Sequence, residues 1–573
     1  MTGDDDMEKM QIAIILHMHD ETRFQHLLAQ VNGLRMPRDS EYTVYKLRDG
    51  DIGTVGNYAY KEIPPGYKVY ISDAVQDILN KNLIVDLLNS MFWDSRAVMA
   101  GLLGSNIPLY GDFLGEHVSL YGRHDCHAGS EGGDSFRGIN PPMFQTVHAI
   151  QPWVVATKAE LIWDERLRGI FCCAAQALRL KEAGYRTVVP RQNEAWCTYY
   201  DASVYRQERS AEYEQDRELF CRYYRDAAEP LVSILIPAYN QPDYFKAALD
   251  SALAQDYGRT EIIVGDDSTD GRIEDLIQPY MQKFGERIQY EHHDKPLGES
   301  GLGNMKSCLA KAKGAYINFL YHDDLLYPHK ISRMLSEYQM DIDEEIGFVT
   351  SARDFIDADG RIAEHSFVYQ PYEDCRIPGK KLGHDILVAK HNFVGELTTM
   401  LLRRQDALNF GEYYGVPDRS MWDVSTALEI SRTGKYCLYL AEKFSAFRHH
   451  KTQNSNNPGV LLVCHLDWLA FLTVSWLHDV YVDEGDFWDV CRKYLRVFDT
   501  IPLDETNLPS DPDFAEKRRV CRELASIYRQ DDRMLYLDCM VNYMLGYTHR
   551  PEQIVDKLQK DEQTGQWRKK DSL

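Results

Sequence analysis

Acidic and amide side chains in this chain collect where apolar runs end. Asn240 closes VSILIPAYN (232–240), Asp266 and Asp267 follow EIIVG (261–265), and Asp323 and Asp324 follow AYINFLYH (315–322). Carboxylates hold hard divalent ions through oxygen, and they accept hydrogen bonds from an imide N–H or a sugar hydroxyl. Asp423 stands in the helical pattern MWDVSTALEISRTG (421–434), with Asp418 five residues before it. A carboxylate beside an attacking hydroxyl takes its proton. Asn304 opens another helix pattern at GNMKSCLAKAKG (303–314), and His450 lies in FRHHKTQNS (447–455).

These residues need elements to position them. VSILIP, EIIVGDD, IQYEHH (288–293) and AYINFLYHDD read as strands, separated by helical patterns such as YFKAALDSALAQ (244–255). Strand and helix alternating at this spacing predict right-handed βαβ units and a parallel sheet. Ligands of such sheets bind outside the carboxyl ends of the strands, which is where Asn240, Asp266, Asp267, Asp323 and Asp324 fall. Asp357 and Asp359 also form an acidic pair, but Asp-Gly bounded by apolar residues reads as a hairpin turn. The trio His124, Cys126 and His127 lacks a second ligand pair at zinc spacing.

The chain says much of this twice. IAIILHMHD (12–20) repeats the apolar run and polar break of VSILIPAYN, and GNYAYKEIPPGYKVYISD (56–73) parallels 303–323. FCCAAQALRLKEAG (171–184) parallels 421–434, with Cys173 and Asp423 each eleven residues before Gly184 and Gly434. A long-period repeat predicts two copies of one α/β domain. The first copy lacks the chemistry: Asp73 is followed by Ala74, and Cys173 stands where the second copy has Asp423.

Composition bounds the partners. The chain has 573 residues, 44% hydrophobic and 27% charged, with a net charge of −24. Nucleic acid and anionic membranes repel such a surface. No apolar run reads as a membrane span, and the acidic start MTGDDDMEKM lacks a signal-peptide charge pattern. Twelve cysteines without a CxxC pair predict reduced thiols and a cytoplasmic location. The expected organisation is a degenerate α/β domain over 1–206, a helical linker over 207–228, an active α/β domain over 229–455, and a helical region over 456–573.

The second copy resembles the family 2 glycosyltransferases of GT-A fold. The match rests on VSILIPAYN, EIIVGDDSTDG (261–271), the Gly303-Asn304 helix start, AYINFLYHDDLLYP (315–328), the Trp422-Asp423 pair and FRHHKTQNS, in order over 229–455. The first copy is similar to glycosyltransferase-like domains of the same superfamily. The resemblance implies an inverting transfer of a sugar from a nucleoside diphosphate donor, a UDP-sugar by preference, to a hydroxyl of a glycan, glycolipid or glycoprotein. It implies Asp423 as catalytic base, Asp323 and His450 as ligands of a divalent cation (Mn²⁺ or Mg²⁺), and Asn240, Asp266, Asp267, Asn304 and Asp324 around the donor. Two positions depart from the family pattern: Tyr321 replaces the first acid of its DxD-type motif, and Trp422 replaces the usual glutamate before the base. The expected partners are a sugar nucleotide and a carbohydrate-bearing acceptor, with a second copy or other glycosylation enzymes beside them. The competing readings are a non-catalytic sugar-nucleotide-binding scaffold and a nucleotidyltransferase. Against the latter, PAYNQPDY (237–244) has neither the glycines nor the base of a phosphate loop.

Overall fold

The structure is a computed structural model that describes residues 9–48, 50–115, 117–126, 135–137, 139–160, 162–200, 210–298, 301–363, 370–451, 453, 457–500, 512–561 and 563–570. The chain divides into two compact units, Met1–Glu229 with Leu335–Glu344, and Pro230–Met334 with Glu345–Leu573.

The first unit opens on β1 (Met10–Met18), whose last seven residues are all buried. A strand covered on both faces reads as an unbroken apolar run rather than an alternation. Its other principal elements are α1 (Glu21–Val31), β2 (Ser40–Arg48), α2 (Ile52–Glu62), β3 (Tyr67–Ser72), α3 (Leu83–Phe92), β4 (Ala97–Gly101), β5 (Phe144–Val147), β6 (Val154–Thr157), α4 (Gly169–Glu182) and β7 (Arg186–Pro190). They form a seven-stranded sheet in the order β2–β1–β3–β6–β4–β7–β5. Within the expected linker, α5 (Ala211–Tyr223) starts at Ser210, whose hydroxyl caps the Tyr213 N–H. Its Phe220 is buried beside Phe113, Phe171 and Tyr224 in the core of this unit.

The second unit begins with β8 (Val232–Ala238), α6 (Pro242–Leu253), β9 (Thr260–Asp266), α7 (Arg272–Phe284), β10 (Ile288–His292), α8 (Leu302–Lys311) and β11 (Tyr316–Phe319). Proline at the first position of α6 costs nothing, because that N–H has no partner within the helix. The unit continues through β12 (Leu325–Leu326), β13 (Ile346–Ile356), β14 (Leu401–Arg403), α9 (Trp422–Ser431) and β15 (Tyr436–Arg448). Its main sheet runs β10–β9–β8–β11–β14–β13–β15–β12, with Cys375–Pro378 paired to β15.

Strand directions bear out the repeat. In the first unit β1 is parallel to β2 and β3, β6 runs antiparallel to β3 and β4, and β4 is parallel to β7. In the second, β8 is parallel to β9 and β11, β14 runs antiparallel to β11 and β13, and β13 is parallel to β15. The helices before the last strands, α4 and α9, both lead to glycines in the left-handed region, Gly184 (φ 83°) and Gly434 (φ 90°). Both units are thus α/β folds of one topology.

The expected helical region is present as α10 (Pro458–Leu477), α11 (Glu484–Thr500), α12 (Pro512–Gln530) and α13 (Arg533–Leu545). It shares one core with the sheet-bearing part of its unit: Leu466, Phe471, Tyr481 and Tyr536 cluster with Tyr413, Val424 and Leu428. The Tyr481 hydroxyl donates to the Leu428 carbonyl at 2.7 Å. Gly383 makes room for this docking, since a Cβ there would lie 2.2 Å from the Tyr481 ring. The reading that no segment reaches the length of a membrane span needs correction. Gly459–Leu477 has that length and composition, with mean hydropathy 1.8, although 78% of its apolar window is buried within the fold. The sequence hid it because His465 and Asp467 interrupt the run.

Candidate active site

The carboxyl ends of β8, β9 and β11 carry the site. β11 ends at Phe319, and the chain turns through Tyr321 to Asp324, closed by a hydrogen bond from the Asp324 N–H to the Tyr321 carbonyl (3.0 Å). Adjacent residues in this turn project differently. The Asp323 carboxylate lies 2.9 Å from His450 Nε2 and keeps 17% of its side chain exposed. Asp324 is turned inward and 1% exposed, accepting from Thr398 Oγ1 (2.6 Å) and from the Arg448 N–H (3.0 Å). Burial, reinforced by the neighbouring Asp323, pushes its pKa well above the carboxylate range.

His450 arrives from just beyond β15. Its backbone N–H donates to Gln453 Oε1 (3.3 Å), and its ring packs against Tyr244, 5.0 Å between centroids. Arg448 spans the same junction, with Nε on the Asp323 carbonyl (2.8 Å), Nη1 on the Asp357 carbonyl (3.1 Å), and the guanidinium 4.7 Å from the Tyr244 ring centre. Asp357 and Asp359 belong to the hairpin turn that the sequence predicts: Ile356 and Ile362 bridge antiparallel, and Gly360 has φ 83°. Asp323 and His450 are therefore a carboxylate and an imidazole in direct contact. Among the described residues no group of three or more His, Cys, Asp or Glu gathers as a metal cage. This directly contacting pair is what the chain would offer a divalent cation, with substrate phosphates completing its shell.

Asp423 is half-buried in the first turn of α9. Its Oδ1 accepts the Val424 N–H (2.8 Å) and its Oδ2 accepts Asn392 Nδ2 (2.7 Å). Burial raises its pKa to about 7; the Val424 N–H pulls the other way, and Glu396 and Asp418 add negative field. Asp418 is fully buried below, with its Oδ1 accepting the Ser420 and Met421 N–H groups (3.0 and 2.8 Å) at the start of α9. The Tyr321 phenol feels the field of both acid groups. Burial pushes its pKa far up, and Asp423, Asp324, Glu396 and Asp323 each push it further. Asp323 and Asp423 therefore act on the same phenol, although a hundred residues separate them.

Two other residues expected around the donor, Asn304 and Asp266, have their polar atoms engaged within the fold. Asn304 is 2% exposed and donates through Nδ2 to the Gly265 carbonyl (2.9 Å) and the Ala238 carbonyl (3.4 Å), tying the ends of β9 and β8. A Cβ on Gly265 would lie 2.0 Å from Asn304 Oδ1, so that position needs glycine. Asp266 is fully buried and accepts from Tyr290 Oη (2.8 Å) and the Ser268 N–H (2.9 Å). With Asp324, these residues brace the site from beneath, because their polar atoms are already used by the framework. Asp267 is 5% exposed, beside His293 Nδ1 at 2.7 Å. Asn240 has φ 52° and accepts the Thr269 N–H through Oδ1 (2.8 Å), so it shapes the loop between β9 and α7.

Sequence reasoning missed Asn392 and Glu396. Asn392 also accepts the Val394 and Gly395 N–H groups, making a compact turn that holds Asp423. Glu396 pairs with Arg353 at 2.6 Å. The Asn-x-x-Gly spacing was the available signal, an Asx-type turn.

The first unit has the same scaffold with its polar groups otherwise occupied. Asp73 Oδ2 accepts the His19 and Asp20 N–H groups (2.6 and 2.7 Å), and Oδ1 lies 2.9 Å from His19 Nδ1. Despite burial, these contacts hold its pKa below the usual value. Cys173 is fully buried in α4, and burial raises its thiol pKa well above normal. The side chains of His124, Cys126 and His127 lie outside the described residues.

Residues 13–224 match the family described as glycosyltransferase like family, and residues 233–408 match glycosyl transferase family 2. The putative teichuronic acid biosynthesis glycosyltransferase TuaG of Bacillus subtilis (strain 168) is 27% identical over 251 residues, covering 44% of this chain and 90% of TuaG. The uncharacterized glycosyltransferase RP339 of Rickettsia prowazekii (strain Madrid E) is 39% identical over 108 residues, 19% of this chain and 31% of that protein. The match thus spans less than a third of the Rickettsia relative. Among solved structures, S. aureus TarS 1-349 in complex with UDP-GlcNAc aligns at 14% identity with TM-score 0.35, covering 59% of this chain and 96% of that one.

Proposed function

We propose that this chain, which carries a match to glycosyl transferase family 2 at 233–408 and to a glycosyltransferase like family at 13–224, is a glycosyltransferase of GT-A type that transfers a sugar, with inversion, from a nucleoside diphosphate donor to a carbohydrate hydroxyl. The observation that carries this reading is Asp423, a carboxylate in the first turn of α9 held by the Asn392 amide (2.7 Å) and the Val424 N–H (2.8 Å), whose pKa burial raises to about 7. A base poised near neutral pH accepts a proton efficiently and still exists in its charged form. In this reading the acceptor hydroxyl gives its proton to Asp423 as it attacks the anomeric carbon, while Asn392 fixes the carboxylate's orientation.

Asp323 and His450 would hold the divalent cation. When bound, that ion neutralises the charge developing on the leaving diphosphate. Asp267 is assigned to the nucleoside, a uridine by preference, and Asn240 to the loop that faces it. Asp266, Asn304 and Asp324 act by positioning. The first unit is assigned no turnover: its acid is clasped by backbone and its thiol is buried.

The test is donor hydrolysis across a panel of sugar nucleotides, with Mn²⁺ and with EDTA, for wild type and Asp323→Ala. Metal-dependent release of one nucleoside diphosphate, lost in the variant, is the expected result. Full activity in EDTA overturns the metal assignment. Donor binding without any turnover on any acceptor leaves the scaffold reading instead.

A further inference from the structure

A cleft of about 880 Å³ opens in the first unit, away from Asp73 and Cys173. Its walls come from α3, the carboxyl end of β7, the start of β5 and the segment 193–196. That volume lies in the upper range for small-molecule sites. Trp93, just past the end of α3, is 69% exposed at its rim. Its ring gives the rim of the cleft an open, flat apolar face. Trp196 also lines the cleft; its carbonyl accepts the Leu79 and Asn80 N–H groups (2.8 and 3.2 Å), which fixes its backbone.

The polar lining is planar and balanced. Asn80 Nδ2 donates to Asp86 Oδ2 (2.9 Å), Asn89 is exposed, and Arg123 Nη1 donates to the Asn193 carbonyl. Arg123 Nε is buried and has no partner among the described residues. Two acids, Asp86 and Glu194, and two bases, Arg123 and Arg191, stand in the lining, so its described residues carry no net charge. Flat aromatic faces suit the C–H faces of pyranose rings, and amide, carboxylate and guanidinium edges suit hydroxyls that both donate and accept.

We propose that this cleft binds a neutral oligosaccharide, the acceptor chain or its product. The step rests on the glycosyltransferase reading for the ligand's role, though not for its chemistry. Holding the chain here raises its effective concentration at the enzyme without any new contact at the acids. That gives the first unit a task that its inactive acid and thiol leave open.

The test is direct binding of the full-length chain to an array of neutral gluco-, galacto-, manno- and N-acetylhexosamine oligomers, with uronic acid oligomers as charged controls. Titration followed by tryptophan fluorescence then measures affinity for the best neutral ligand. Trp93→Ala should weaken it roughly tenfold, and Arg123→Gln should also weaken it. Donor hydrolysis should be unchanged in both variants, while the acceptor KM rises at constant kcat. Trp93 is exposed, so its variant should keep the wild-type melting temperature; Asn89→Ala provides a second surface test of the same wall. Absence of binding to every neutral oligomer, preference for the charged controls alone, or binding unchanged in all three variants overturns the proposal. If the array result holds but no sugar nucleotide is turned over, the binding site stands and the catalytic reading falls.

Discussion

Two influences pull the Asp423 proton in opposite directions. Burial favours the neutral acid, whereas the Val424 N–H, the Asn392 amide and the start of α9 favour the anion. Asp423→Asn should lower kcat by roughly 10²–10⁴ with little change in donor affinity, measured by steady-state kinetics and calorimetry. In wild type the rate should rise with pH through about 7, because only the ionised carboxylate accepts a proton. Asn392→Ala removes a hydrogen bond to the anion, so the midpoint of that profile should move to higher pH; an unmoved midpoint would separate Asn392 from the base. At this scale the sequence was partly legible. A polar residue after an apolar strand marks the carboxyl end of a sheet, which is where Asp323 and Asp267 stand. It does not say which way a side chain turns, and Asp324, Asp266 and Asn304 each have partners within the framework that no spacing reports. Glu396 and Asn392 sit on a loop with no periodicity to report them.

Among the elements, α10 reaches the site through a second buried acid. Asp467, in the middle of this apolar helix, accepts Ser420 Oγ (2.7 Å), and burial with Asp418 nearby pushes its pKa well up. Asp418 is raised as well, chiefly by burial. The folded protein therefore retains protons on these acids that the unfolded chain releases above about pH 4. Their contribution is full below that pH and is lost as pH rises through the folded values. Asp467→Asn should gain in melting temperature relative to wild type as pH is raised from 5 to 8. A difference that is flat with pH would mean that the pair is not protonated in the fold. The tail's helices were legible from their apolar spacing, but their docking on α9 was not, since Tyr481 meets Leu428 across a long sequence interval.

For the molecule as a whole, the two units share a sheet order and differ in what the strand ends hold. The repeat was legible because buried strands must stay apolar whatever the site does, so matching runs survive the loss of chemistry. Cys173→Ala should leave transferase activity at the wild-type level in the full chain, since the thiol is buried and its pKa lies well above neutrality; a collapse in turnover would give the first unit a catalytic thiol. Cys173→Asp should instead lower the melting temperature, because a carboxylate in that helix has neither water nor a cation. The Asp73 clasp adds a second barrier. Its oxygens now hold the His19–Asp20 backbone, and returning them to an ion would release the loop that follows β1. Evolution on the first copy is thus ratcheted. Asp73 is structural and Cys173 is buried bulk, so installing acids there one at a time passes through destabilised variants. Its remaining freedom to diverge lies on its surface.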